Sequence, residues 1–191
     1  MNKLMKEIVF VGRSNVGKST LIRALTGKKL RVGKLPGVTR KPLKIPYQNL
    51  QITDMPGFGF MSGASEESMD AIKDNIVHYI EDNASNIVMA VMVVNSGSFA
   101  EIVDRWAGRN EIPVEIELYE FLQELNIDVI VAANKIDKVK NIDETLDGIA
   151  ERLGMMPPWK QWLDKIVPVS AKKGNIRELK ELIQKKLEGK R

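Results

Sequence analysis

Eight consecutive residues, Gly12-Arg13-Ser14-Asn15-Val16-Gly17-Lys18-Ser19, have the types and spacing needed to enclose a phosphate. Glycines at both ends let backbone amides converge on an anion, and a helix starting just beyond adds its positive dipole end. Lys18 can reach the outer phosphates of a nucleotide, the Ser19 hydroxyl is a hard ligand for magnesium, and Thr20 follows within reach. Asp54-Met55-Pro56-Gly57 adds a carboxylate suited to a magnesium-bound water and, three residues on, a glycine amide that can meet a terminal phosphate. Thr39, in Pro36-Gly37-Val38-Thr39-Arg40, is the only threonine between Thr26 and Thr53. It is the natural second hydroxyl for magnesium, with Gly37 and Val38 closing beside it.

Two further segments carry chemistry for a base. In Asn134-Lys135-Ile136-Asp137 the Asp137 carboxylate can accept hydrogen bonds from guanine N1–H and the 2-amino group. Adenine offers neither, and a site built on such bonds rejects an analogue lacking them by roughly 10⁴-fold or more. Lys135 can lay its stem over the base, and Asn134 can tie this loop to the phosphate loop. In Ser170-Ala171-Lys172 a backbone amide can meet guanine O6, and the small Ala171 allows the approach. Each motif alone has an ordinary reading as a chance match or a polar turn. Gly12–Ser19, Asp54–Gly57, Asn134–Asp137 and Ser170–Lys172, four motifs in this order and each at the end of an apolar run, point to a guanine nucleotide with magnesium.

The elements that must hold these loops follow from periodicity. Glu7–Val11 is a short β-branched run ending at the first glycine, hence a buried strand. The residues after Lys18 read as a helix with Leu21, Ala24 and Leu25 on one face, stopped by Gly27. Leu43–Tyr47 and Leu50–Thr53 form a hairpin, and Pro46 places the first of these strands at an edge. Met69, Ile72, Ile76 and Ile80 mark an amphipathic helix. Ile87–Val94, the most apolar stretch, reads as a central parallel strand. A helix face at Leu118, Leu122 and Leu125 precedes a strand at Asp128–Ala133; a helix at Ile142–Leu153 precedes one at Ile166–Val169. Ile176, Leu179, Ile183 and Leu187 define a closing helix. The expected fold class is α/β: a six-stranded, mostly parallel sheet with one antiparallel edge strand and helices on both faces. Ligands of such sheets sit outside the carboxyl ends of the strands, where all four motifs fall. With no linker or repeat, one domain over residues 1–191 is expected.

Composition excludes several alternatives. The chain has no cysteine and a single histidine, His78, which removes thiolate catalysis, zinc–cysteine sites and multi-histidine metal centres. The nine methionines are scattered as core filling. No apolar run approaches the roughly 20 residues of a membrane span, and Met1–Glu7 carries no signal-peptide apolar region. A cytoplasmic protein without a membrane partner is expected. Net charge is +4, with seven basic and no acidic residues between Thr26 and Asn49, and eight basic residues between Ser170 and Arg191. These clusters read equally as a solvated surface facing phosphates or as an RNA-backbone footprint.

The segments GRSNVGKS at Gly12–Ser19, PGVTR at Pro36–Arg40 and DMPGFGF at Asp54–Phe60 resemble the translation-factor-like GTPases. They most closely resemble the EngB (YihA) family of small ribosome-assembly GTPases, in the TrmE-Era-EngA-EngB-septin-like group. The likeness spans nearly the whole chain, and the extra RNA-binding domain of Era-like relatives is not expected. It implies a monomeric, Ras-like, three-layer P-loop G domain that switches between GDP and GTP in large-subunit ribosome assembly, with a link to cell division and septation. It also implies a ribosomal subunit or rRNA as partner, and an archaeal-type member. Two stretches depart from the bacterial pattern: Asn95-Ser96-Gly97 replaces an Asp-x-Arg turn, and Ser98–Glu117 is longer and more acidic.

Phe58 stands where Ras-like enzymes carry the glutamine that orients water, so hydrolysis is expected to be slow. In related potassium-activated GTPases an asparagine at the position of Asn15 helps hold K⁺, a role that competes here with merely fitting the turn. Lys18, Asn15, Thr39 and Gly57 are the candidate catalytic residues, and Ser19, Thr39 and Asp54 the candidate magnesium ligands. Trp106, Trp159 and Trp162 are expected to pack over the core rather than stack on bases. Two other functions compete: a GTP-dependent binding module with negligible hydrolysis, and a P-loop ATPase or nucleotide kinase.

Overall fold

A computed structural model describes residues 5–28, 41–59 and 66–189. Alternation of buried side chains builds the centre of the molecule. On β1 (Glu7–Val11), Ile8 and Phe10 join one apolar cluster while Val9 and Val11 join the other. The same period of two runs through β4 (Ile87–Asn95) from Met89 onward and through β5 (Val129–Asn134). Strands buried on both faces need helices on both faces, since each face carries an apolar row that must leave water. One cluster takes the inner faces of α1 (Lys18–Thr26) and α6 (Arg177–Glu188). The other takes α2 (Glu66–Asn83), α3 (Phe99–Ala107), α4 (Val114–Glu124) and α5 (Ile142–Arg152).

The sheet adds β2 (Leu43–Tyr47), β3 (Leu50–Asp54) and β6 (Ile166–Pro168), in the order β2-β3-β1-β4-β5-β6. All neighbours are parallel except β2 and β3. Pro46 lies on the outermost strand opposite Gln51, where its missing amide costs no ladder bond. The chain runs from β1 to one side as far as β2, then returns to add β4 on the other. That reversal opens a crevice at the carboxyl end of β1.

The expected strands and the hairpin all appear, with ends moved by a residue: β3, β4 and β5 each reach one further, and β6 stops at Pro168. The stretch Ser98–Glu117 has an architecture its composition did not announce. It forms α3, whose inward face is carried by Phe99 and Val103 alone, and the first turn of α4. Leu125 caps α4 instead of lying within it. Trp159 is buried in the core and Trp162 packs against it, while Trp106 is half-buried on α3.

Candidate functional site

The loop Gly12–Gly17 leaves β1 and turns into α1 at the crevice. Two of its glycines are dictated by their neighbours. A Cβ on Gly12 (φ +154°) would fall 2.4 Å from the Val93 carbonyl oxygen, and one on Gly17 (φ +97°) 2.4 Å from Asn134 Nδ2. Asn15 takes the left-handed conformation, φ 65°, which asparagine tolerates better than most residues. The exposed Asn15 and buried Val16 therefore alternate around a concave backbone ahead of the α1 N-terminus.

Lys18 is only 6% exposed, and its ammonium donates to Asp54 Oδ1 and to the Met55 carbonyl. Ser19 Oγ donates to the other Asp54 oxygen at 2.8 Å. The carboxylate, 1% exposed at the end of β3, is thus shared between the loop's lysine and its hydroxyl. Thr20 is half-buried on the following turn. Hydroxyl plus carboxylate is an oxygen set suited to magnesium, which binds through one or two carboxylates and completes its octahedron with phosphates and water. Among the described residues there is no cluster of three or more His, Cys, Asp or Glu that would cage a metal unaided. The donor set fits a magnesium ion brought with a polyphosphate.

Past Asp54, Met55, Pro56 and Phe58 are buried while Gly57 is half-buried. The Ser14 amide donates to the Phe58 carbonyl at 2.8 Å, and Ser14 Oγ to the Gly57 carbonyl at 3.3 Å. The Phe58 side chain, 2% exposed, sits in the apolar cluster beneath α2 and α4. It is unable to orient water both by chemistry and by place. Gly37, Val38 and Thr39 lie outside the described residues.

At the next strand end, Asn134 connects three loops. Its Nδ2 donates to the Val16 carbonyl at 2.8 Å, and its Oδ1 accepts from the Ala171 amide at 3.0 Å. Its own carbonyl accepts from the amide and the hydroxyl of Ser96. The Asn95-Ser96-Gly97 turn, noticed in the sequence only as a departure, therefore buttresses Asn134. Lys135, at φ 63°, spans to the Asn15 carbonyl with its ammonium at 2.8 Å. Burial, with Lys138 nearby, draws its pKa below the ordinary lysine value.

Asp137 accepts from Ser170 Oγ at 2.5 Å and lies 3.5 Å from the Lys173 ammonium. The Ser170 bond, against a small desolvation cost, holds the Asp137 carboxyl below its ordinary value, so it is an acceptor at neutral pH. Within Ser170–Lys172, whose backbone amides were expected to offer one bond to guanine O6, the Ala171 amide donates to Asn134 Oδ1, because burial of that side chain demands a partner for both of its polar ends. Ala171 itself is buried and Lys172 exposed at the rim.

Sequence reasoning missed one contact at the loop altogether. The Arg13 guanidinium points not to the crevice but to Glu115 in the first turn of α4, through Nε to Oε1 and through Nη2 to Oε2 at 3.0 Å. No local pattern announces a pair so far apart in the chain.

A phosphate loop, a carboxylate shared with its lysine and hydroxyl, and an Asn-Lys-x-Asp turn, all at the carboxyl ends of strands of one sheet, define a P-loop GTPase. A family profile described as 50S ribosome-binding GTPase matches residues 7–135. The chain is 55% identical over 183 residues to a probable GTP-binding protein EngB of Methanosarcina mazei, covering 95% of this chain and 88% of that protein. It is 54% identical to the corresponding Pyrococcus abyssi protein, over 94% and 85%. A crystal structure of a probable GTP-binding protein EngB superposes with TM-score 0.86 at 47% identity, covering 96% of this chain and 99% of the other. Era in complex with MgGDPNP and a segment of 16S ribosomal RNA superposes with TM-score 0.64 at 26% identity, over 96% of this chain and 56% of Era. The chain belongs to the EngB family of GTP-binding proteins, a GTPase family.

Proposed function

We propose that this chain is a magnesium-dependent GDP/GTP switch that hydrolyses GTP slowly and acts on the large ribosomal subunit during its assembly. The observation that carries the reading is the Lys18–Asp54–Ser19 cluster, joined through Asn134 to the Asp137 turn. In this reading Gly12–Ser19 and Thr20 wrap the phosphates, and Asp137 reads the guanine edge under the Lys135 stem. The rim Ser170–Lys172 closes the base pocket. Ser19, Asp54 and Thr39 would hold magnesium, which when bound shields charge on the outer phosphate oxygens. Lys18 shifts from the Asp54 carboxylate toward the phosphates and neutralises charge there as the bond to the leaving diphosphate breaks. The Gly57 amide meets the terminal phosphate, while Gly37 and Val38 close beside Thr39.

With Phe58 buried, the chain itself offers no side chain at that position to orient water. That supports slow intrinsic turnover and keeps a second reading open, a GTP-dependent binding module with negligible hydrolysis. Asn15 could support a K⁺ ion that compensates. The GTPase family match sets the ATPase or kinase reading aside.

The ribosomal partner is supported by the description of the matching family and by the basic Ser170–Arg191 segment, whose phosphate-binding charge would face RNA. We extend the proposal to one monomeric G domain over residues 1–191, located in the cytoplasm, whose loss would disturb cell division and septation through ribosome supply. Among the described residues no helix is long and apolar enough to cross a membrane. Co-sedimentation with ribosomal subunits tests the proposal. Binding to the large subunit with a non-hydrolysable GTP analogue, and release with GDP, is the expected result; equal sedimentation in both states would refute a switch.

A further inference from the structure

We infer that Glu115 is a positioning residue of the nucleotide site: through Arg13 it holds the Gly57–Gly59 turn in the conformation that meets a terminal phosphate. The inference rests on the guanine-nucleotide reading above. Glu115 is 4% exposed although it stands in the first turn of a helix, a place where acids are favoured without being buried. Glu117, two residues on, is half-open to solvent and pairs with Lys73 at 2.6 Å. The helix dipole would serve both residues alike, so it does not explain why Glu115 alone is buried. Its partner does.

Arg13 occupies the second position of the phosphate loop. Its side chain is 15% exposed and engages both carboxylate oxygens of Glu115, an arrangement that fixes orientation as well as charge. On its other side the Arg13 side chain is close against Gly59. A Cβ at Gly59, where φ is +87°, would fall 2.5 Å from Arg13 Nη1 and 2.8 Å from its Cγ. The Arg13 backbone forms a parallel bridge with Phe58, and the neighbouring Ser14 amide donates to the Phe58 carbonyl. The guanidinium is therefore a spacer, clamped by Glu115 from α4 and pressed on the turn that carries Gly57. A buried ion pair is poor evidence of stability, but it specifies a geometry, since either partner left alone is a desolvated charge.

A diphosphate does not need the Gly57 amide; a triphosphate does. Loss of the clamp should therefore reduce affinity for the triphosphate selectively. The test is titration of fluorescent GDP and a fluorescent non-hydrolysable GTP analogue on the same preparations of the full chain and Glu115→Gln, with thermal midpoints recorded. Glu115→Gln is isosteric and removes the charge. The expected result is GDP affinity close to that of the parent and about a tenfold loss for the GTP analogue, the scale of one charge-assisted contact. A purely structural role would lower the thermal midpoint and leave the ratio of the two affinities unchanged; that result overturns the inference. Should Glu115→Gln not fold, Arg13→Lys decides. It keeps the charge and loses the fork, so a reduced ratio supports the clamp and an unchanged ratio overturns it. A parent protein that binds neither nucleotide would instead overturn the guanine-nucleotide reading, a result visible before any substitution is made.

Discussion

Two parts of the chain meet at Arg13 and treat polar groups differently. The strand-end loops divide theirs: Asn15, Asp137 and Lys172 are exposed at the rim, while Lys18, Asp54, Asn134 and Ser170 are buried beneath it, and glycines hold the backbone where side chains would collide. The α3–α4 segment, residues 98–124, spends its one buried charge inward, on Arg13, and otherwise supplies apolar surface from Phe99, Val103, Leu118 and Leu122. The first part is built to exchange partners with a ligand. The second is built to keep the partners it has. A loop that must offer its amides outward needs a support behind it that does not move, and the bidentate pair is where the two meet.

The contrast predicts separable defects. Leu122 is fully buried on α4, so Leu122→Ala should cost about 2–5 kcal/mol of folding stability. GDP affinity per folded molecule should be unchanged. Urea unfolding beside nucleotide titration checks both, and a matching fall in GDP affinity would erase the distinction between the two parts. At the rim the defect should be reversed. Asp137→Asn should weaken GTP by about 1.5–3 kcal/mol, roughly one to two decades, favour xanthosine triphosphate, and leave the unfolding midpoint near that of the parent. Unchanged GDP affinity would place the guanine pocket elsewhere.

Hydrolysis sharpens the same line, since Asn15, Lys18 and Gly57, to which turnover is assigned, all belong to the strand-end loops and the start of α1. Single-turnover rates should not exceed the order of about 3–5 × 10⁻⁴ per second known for intrinsic Ras hydrolysis. They should rise in K⁺ over Na⁺ at matched ionic strength, and Asn15→Ala should abolish that rise. Identical rates in the two salts would remove Asn15 from catalysis.

The smallest effect belongs to the outer side of α3. Arg152 of α5 grips Asp104 through Nε at 2.7 Å and Nη2 at 2.6 Å. That bond, outweighing slight desolvation, holds the Asp104 carboxyl below its ordinary value of 3.8. A depressed folded-state value means stabilisation that is present above the unfolded value and lost as pH falls through the folded one. Asp104→Asn should therefore be slightly less stable than the parent at neutral pH, and the two should converge in acid below the folded value. A difference independent of pH would show that the bond, not the charge, matters.

Much of the site was legible because its chemistry is local. Gly12, Gly17, Lys18 and Ser19 lie within eight consecutive residues, and backbone sterics and ligand type alone restrict which residues can stand there. The strands were legible for a related reason: burial on both faces leaves continuous apolar runs such as Ile87–Val94. The helix α3 was not, because only Phe99 and Val103 of its nine residues point fully inward, too few for a periodic pattern. The asparagine turn at Asn95–Gly97 looked like a departure until its serine was seen holding the Asn134 carbonyl.

By itself, then, the sequence determined the fold class, the guanine-nucleotide motifs and the family, each of which depends on residue types a few positions apart. Only the tertiary structure decided that Lys18 and Ser19 share Asp54, that Ala171 donates to Asn134, and that Arg13 turns away from the crevice to Glu115. The physical reason is that a buried polar group must find a partner wherever the fold brings one. Which partner that is depends on how the layers pack, and the spacing of residues along the chain does not contain it.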